Sequence, residues 1–236
     1  MTSSILKIHC ALKEFGFTES DIISVSRLKN QLHDKQFFKV KLANNKSIHV
    51  TMGTLDKNLL DKSIRFKEQL EDYACEPLFF NTFDGISVFG QEYFEGDSIE
   101  LHFKDASVND QILCETIDGI STLLNEKVVS STNKLQRKEW DEFVLLFNSN
   151  PNFRENDLLF FNEEIFPHMV NLLEDLEPKK RITNGDLTAQ NILIGKENTI
   201  KIIDCEYSSV THFYNEDYAR LYNFSAERFK KNNVIE

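Results

Sequence analysis

Paired cysteines are missing. Cys10, Cys75, Cys114 and Cys205 stand singly, without the short spacings of a zinc site or a redox motif, and read as reduced thiols. Glycine and proline are scarce, 8 and 4 of 236 residues, which excludes linker-like and low-complexity chains. No stretch approaches the roughly 18 apolar residues of a membrane span. The N-terminus lacks a charged-then-apolar signal pattern, so a cytoplasmic protein is expected. Positive charge is short as well: the net charge of −11 is spread along the chain, which disfavours a general nucleic-acid or anionic-membrane binder.

What is present is core-forming material. Hydrophobic residues make up 41% and Phe alone occurs 20 times, enough for one large domain or two packed lobes, and no internal repeat is visible. Ile5, Ile8, Leu12 and Phe15 fall at helical spacing, with Gly16 placed to stop the helix. Ile22 to Leu28, Gln36 to Leu42 and Ser47 to Met52 read as strands; the second alternates Phe38, Val40 and Leu42 with Lys39 and Lys41, and Asn44-Asn45 turns into the third. A helix from Leu59 to Tyr73 follows, then strands Leu78 to Thr82 and Ile86 to Phe94 around Asp84-Gly85. Gly96 breaks the pattern and marks a hinge.

From Asn109 the chain turns helical, with Ile112, Leu113, Ile117, Ile120 and Leu124 as one apolar stripe and a second long helix expected over Glu155 to Leu176. Ser130-Ser131-Thr132-Asn133 reads as a loop and Trp140 to Phe147 as a candidate helix. Beyond Pro178, Asn191 to Ile194 and Thr199 to Ile203 form a hairpin around Gly195-Lys196-Glu197-Asn198.

The chemistry concentrates around that hairpin. Phosphoryl transfer from ATP needs hard oxygen ligands for magnesium and a carboxylate that orients the attacking hydroxyl and takes its proton. Asp186 and Asn191 lie five apart on one loop, and the hairpin folds Asp204 back beside them, so three oxygen-bearing side chains converge.

These residues, in Asn184-Gly185-Asp186-Leu187-Thr188-Ala189-Gln190-Asn191 and Ile202-Ile203-Asp204, resemble the catalytic and metal-binding loops of the protein-kinase-like superfamily. Asp204-Cys205-Glu206-Tyr207-Ser208 looks closest to the aminoglycoside phosphotransferase and choline/ethanolamine kinase branch, as does Asn215-Glu216-Asp217-Tyr218-Ala219-Arg220-Leu221. The resemblance implies an α+β, two-lobed kinase-like fold. Residues 1–95 would form a small N-lobe of a leading helix and a five-stranded antiparallel sheet with one helix; residues 96–236 would form an abbreviated, mostly helical C-lobe carrying both loops. It further implies ATP and Mg2+ as cofactors, Asp186 as catalytic base, Asn191 and Asp204 as metal ligands, and Asn184 and Asp217 as structural support for the loop.

The sequence departs from the family at the nucleotide. The first strand-to-strand turn, Lys29 to Lys35, has no glycine, and the third strand carries Thr51 near the expected phosphate-binding lysine. Lys39 on the second strand is the preferred substitute, with Lys29 and Lys35 the other candidates. Glu68, with Glu71 next, is the candidate helix glutamate, and the backbone of Glu92 and Phe94 would meet the adenine edge at the hinge. Cys205 replaces the usual aromatic after the metal-binding Asp and reads as a small buried hydrophobe.

About 32 residues follow Asp204, fewer than the family uses to build its acceptor pocket, so another subunit is one way to complete it. Glu206 is the candidate contact for a cationic or polyhydroxyl acceptor. The expected activity is a kinase acting on a hydroxyl of a small molecule or glycan. A minimal protein kinase and a pseudokinase scaffold stand as alternatives.

Overall fold

The structure, a computed structural model, describes residues 3–32, 34–104, 110–126, 128–130, 144–145, 148, 154–168, 180–211, 217 and 220–221. Alternating apolar residues pair the first half of the chain into one sheet. Its strands β1 (Ile22–Leu32), β2 (Lys35–Leu42), β3 (Ser47–Gly53), β4 (Pro77–Phe83) and β5 (Ile86–Glu92) lie in the order β1-β2-β3-β5-β4, every neighbour antiparallel.

Because side chains alternate across a strand, the sheet has two different faces. Phe38, Val40, Ile48, Val50 and Met52 point one way and bury Ile8, Ala11 and Leu12 of α1 (Ser3–Glu14). Phe37, His49 and Thr51, one residue out of phase, point the other way into a cleft. Gly16 ends α1 at φ +99°, where the amide of Phe17 donates to Leu12 O (2.9 Å) and that of Gly16 to Lys13 O (3.0 Å), the double bond of a left-handed helix stop.

Helix α2 (Leu59–Leu70) crosses behind the cleft, and its apolar stripe belongs to a second core. Phe66 and Leu70 pack there with Ile99, Ile120, Leu124 and Ile202. The helix stops short of Tyr73; Glu71 takes φ +49° and a 3₁₀ turn completes the span.

Two differences from the sequence reading bear on the site. The expected turn Lys29 to Lys35 is largely strand: past a bulge between Arg27 and Gln31, pairing resumes at Gln31 with Gln36 and Leu32 with Lys35, so Lys35 stands at the mouth of a hairpin. The expected break at Gly96 is a short strand, β6 (Gly96–Ser98), paired with β9 (Ile192–Gly195). A Cβ on Gly96 would sit 2.7 Å from Ile194 O, so only glycine lets these backbones approach.

After β6 come α3 (Ile99–Lys104), α4 (Asp110–Glu126), β7 (Val128–Ser130) and α5 (Glu155–Phe160), whose helix continues through one π turn, Phe161–Ile165. Strands β8 (Lys180–Thr183), β10 (Ile200–Ile202) and β11 (Ser209–Thr211) complete two small sheets, β10-β9-β6 and β11-β8-β7. The second was not anticipated, because three- and four-residue strands are too short to show a period. The expected helix Trp140 to Phe147 lies largely outside the described residues, as does the end of the helix expected to reach Leu176. Among the described residues no helix is long and apolar enough to cross a membrane.

Candidate active site

Two loops meet at the floor of the cleft. Asn191 leads into β9 and Ile203 follows β10; the amide of Ile203 donates to Asn191 O at 2.8 Å, which extends the hairpin and sets Asp204 beside the loop of Asp186. The side-chain amide of Asn191 donates to Asp186 O (2.8 Å) and more weakly to Asp186 Oδ2 (3.3 Å). Its Nδ2 is thereby held within the loop.

Asn184, fully buried, ties the two loops together. Its Nδ2 donates to Asp204 O (3.1 Å) and Ile203 O (3.3 Å), while its Oδ1 accepts the Asp186 amide at 3.2 Å. Beneath it Asp217, also buried, accepts the amides of Asn184 on Oδ2 (2.6 Å) and Gly185 on Oδ1 (3.0 Å). Gly185 adopts φ +78°, and a Cβ there would meet Tyr207 O at 2.4 Å; this is the one loop position where glycine is required twice over.

Asp204 itself takes φ +56°, a left-handed conformation unusual for Asp and of the kind held in place at functional sites. Its carboxylate opens on the cleft. The surrounding walls still desolvate it and push its pKa above the ordinary carboxylate value; Lys35 opposes this, and the nearby Glu206 and Asp186 add to it. A carboxylate raised in this way is one that a cation would relieve.

The donor set suits a hard cation. Among the described residues no three His, Cys, Asp or Glu side chains converge. The floor instead offers the carboxylates of Asp186 and Asp204 and the free carboxamide oxygen of Asn191. Such an incomplete oxygen set fits magnesium, which keeps positions for phosphate and water.

Above the floor lies a cavity of about 580 Å³, with Phe37, His49, Thr51 and Phe89 for a roof. His49 stacks on Phe37, ring centroids 5.8 Å apart. Its Nδ1 is buried without a partner, and burial pulls its pKa down to about 4, so the ring is neutral. Thr51 does line the cavity where the sequence reading looked for a lysine.

Lys35 does line the cavity. Its ammonium forms an ion pair with Glu206, both partly buried. Burial pulls the Lys35 pKa down, but the hydrogen bond and charge of Glu206, with Asp204 and Tyr207 behind it, hold it above the ordinary lysine value. Lys62 of α2 donates to Glu206 O and to Asp56 Oδ2, both at 2.7 Å, and Ser63 Oγ lies 3.1 Å from Cys205 Sγ. The helix is thereby sewn to the loop that follows Asp204.

Other candidates lie elsewhere. Lys39 faces the same side of the sheet, but its ammonium sits over the Tyr93 ring, 4.0 Å from the centroid, and it is not among the cavity-lining residues. Glu68 is exposed on α2, nine residues and so half a turn round from the cavity-lining Leu59. Glu92 is exposed at the end of β5; its amide donates to Glu76 O (2.8 Å) and its carboxylate lies 3.6 Å from Lys201 Nζ, so that amide is not open to a base. Phe94 covers Gly96 and Gly195, and Gln91 is the residue of the expected hinge segment that reaches the cavity.

The sequence reading gave Arg220 no role. It follows Asp217 by three residues, and its Nη1 donates to Asp186 Oδ1 at 3.1 Å. The spacing of three residues after Asp217 was the available signal.

No protein-family model and no curated sequence matches the chain. A solved structure does: the crystal structure of an aminoglycoside-3'-phosphotransferase of type VIII superposes with a TM-score of 0.52 at 10% identity, over 91% of this chain and 82% of that one. At that identity the likeness speaks to the fold. The chain has an α+β, protein-kinase-like fold whose N-terminal half carries the five-stranded antiparallel sheet.

Proposed function

We propose that this kinase-like chain is an ATP- and magnesium-dependent phosphotransferase acting on a hydroxyl of a small molecule or glycan, with Asp186 as the base and Asn191 and Asp204 as metal ligands. The observation that carries the reading is the joining of the two loops at the cavity floor by Ile203 N to Asn191 O and by Asn191 Nδ2 to Asp186 O, each 2.8 Å. A fold needs no such convergence of oxygen donors under a cavity.

In this reading the acceptor oxygen bonds to the γ-phosphorus while the bond from that phosphorus to the β,γ-bridging oxygen breaks, its electron pair leaving with ADP. The hydroxyl proton passes to Asp186. Asn191 keeps the Asp186 carboxylate oriented, and Asp217 with Asn184 holds the loop rigid. Magnesium, when bound by Asn191 and Asp204, neutralises the phosphate charge. Lys35 takes the part first assigned to Lys39: on meeting a nucleotide it exchanges Glu206 for phosphate oxygens. Glu206 is thereby a partner of Lys35 before it is an acceptor contact. Phe37 and His49 roof the base.

The reading is tested by thermal-shift titration with ATP plus magnesium against ATP alone. A magnesium-dependent rise in Tm, lost in Asp204→Asn, supports it; identical curves refute it.

A pseudokinase reading has one observation in its favour. Both cations nearest the floor, Lys35 and Arg220, are already paired with carboxylates. ATP consumption that depends on an acceptor and disappears in Asp186→Ala decides against it.

A further inference from the structure

We infer that the base of the nucleotide is read by two side chains, His49 of β3 and Gln91 of β5, rather than by the backbone of the hinge segment, and that they recognise the 6-amino edge of adenine. The inference rests on the reading of this cavity as a nucleotide site.

His49 and Gln91 are direct partners across β3 and β5, and Thr51 and Phe89 form the next rung on the same face; all four line the cavity. Directly opposite residues begin about 5 Å apart at Cβ, so one base edge can reach both heads. The pair stands away from Lys35. A Cβ on Gly53 would lie 3.2 Å from Lys35 Cα, which sets Lys35 beside Gly53. His49 is four residues back along β3, roughly 13 Å at the rise of a strand. A nucleotide with its outer phosphates between Lys35 and the floor would bring its base to that far end.

Both heads carry hydrogen-bonding capacity that the fold leaves unused. His49 Nδ1 is buried without a partner, and among the described residues the Gln91 carboxamide makes no hydrogen bond. Burial keeps the imidazole neutral, its pKa pulled down to about 4, so the ring offers one donor and one acceptor and no charge. The carboxamide presents an acceptor beside a donor, the complement of the adenine N6–H and the ring nitrogen next to it. Unpaired polar groups in a desolvated slot cost free energy until a ligand with matching groups arrives, and the same groups reject a ligand that lacks them.

The backbone beyond β5 is poorly placed for the same task. The amide of Glu92 donates to Glu76 O at 2.8 Å and that of Tyr93 to Ser47 O at 3.1 Å, so both are spent inside the fold. Glu92, Tyr93 and Phe94 are not among the residues that line the cavity, whereas Gln91 is. What the strand delivers to the base end is therefore a side chain.

The test is titration calorimetry on the full chain with magnesium and three ligands: ATP, the triphosphate of unsubstituted purine riboside, which lacks the 6-amino group, and tripolyphosphate, which has no base. The unsubstituted chain is expected to bind ATP about tenfold tighter than the purine analogue, the effect of about one hydrogen bond. Gln91→Leu should bring ATP down to the level of the analogue. His49→Phe, which keeps the stack on Phe37, should weaken ATP roughly fivefold, while tripolyphosphate binds parent and variants within about twofold. Equal binding of ATP and the analogue by the unsubstituted chain, ATP affinity unchanged in either variant, or a parallel loss of tripolyphosphate overturns the inference; the first of these needs no variant to fold. Magnesium-dependent uptake of ATP separates the two levels: without it in the unsubstituted chain the nucleotide reading falls and this inference with it, and with it present a negative result falls on His49 and Gln91 alone.

Discussion

Lys35, at the start of β2, pairs with Glu206, 171 residues later, so the first hairpin brings a lysine to the cavity that Thr51 of the third strand lines without one. The pair joins the β1-β2 hairpin to the loop that follows Asp204. Lys39, four residues along the same strand, points toward the hinge and rests on Tyr93.

Lys35→Ala should therefore weaken magnesium-ATP binding about tenfold, the effect of losing one charge-assisted contact of about 1.5 kcal/mol. Lys39→Ala should stay within about twofold, since its ammonium rests on the Tyr93 ring and the residue does not line the cavity. Titration calorimetry on both variants makes the comparison; equal losses, or a larger loss in Lys39→Ala, would return the role to Lys39.

Asp204 carries a pKa raised above 3.8 by desolvation. Folding then favours its protonated form, so its contribution to stability is full below the unfolded pKa and is lost as pH rises through the folded value. At neutral pH the ionised group is a cost. Asp204→Asn is expected to raise the Tm of the ligand-free protein near pH 7 while removing the magnesium-dependent shift. A lower Tm at pH 7 would show that the carboxylate stabilises the loop instead.

Asp217→Ala leaves two loop amides without acceptors in a buried setting. Each unsatisfied group costs about 1–3 kcal/mol, so a loss of several kcal/mol in urea unfolding and a collapse of turnover are expected. Gly185→Ala should be comparably severe, because a Cβ lands 2.4 Å from the backbone oxygen of Tyr207. Either variant unfolding like the parent would mean that the loop is not held as described.

His49 is neutral, its pKa pulled by burial from 6.5 to about 4. Its contribution is present above the unfolded pKa and lost as pH falls from about 6.5 through about 4. His49→Phe, which keeps the stack on Phe37 and removes the unpartnered Nδ1, should flatten the acid side of the Tm-versus-pH curve. An unchanged acid limb would show that other groups govern it.

Local order left clear marks in the amino-acid sequence. Phe38, Val40 and Leu42 on alternate positions announced the strand that buries α1, and Gly16 announced the end of that helix. The intervals from Asp186 to Asn191 and on to Asp204 marked the site, because a hairpin between fixed points brings its ends together wherever it is placed. Even the position of Glu68 could have been read, since nine residues from Leu59 is half a helical turn.

What the sequence determined by itself is thus what short intervals set: the strand alternation, the helix stop, and the meeting of the loops that carry Asp186 and Asp204. Which lysine lines the cavity and which cation reaches Asp186 were decided only by tertiary structure. Lys35 meets Glu206 because a bulge sets the register of β1 against β2, and Arg220 meets Asp186 across 34 residues because Asp217 is clamped beneath the loop. Ion pairs between distant residues have no period and no spacing; they exist only once the packed backbone has fixed how far apart the two side chains begin.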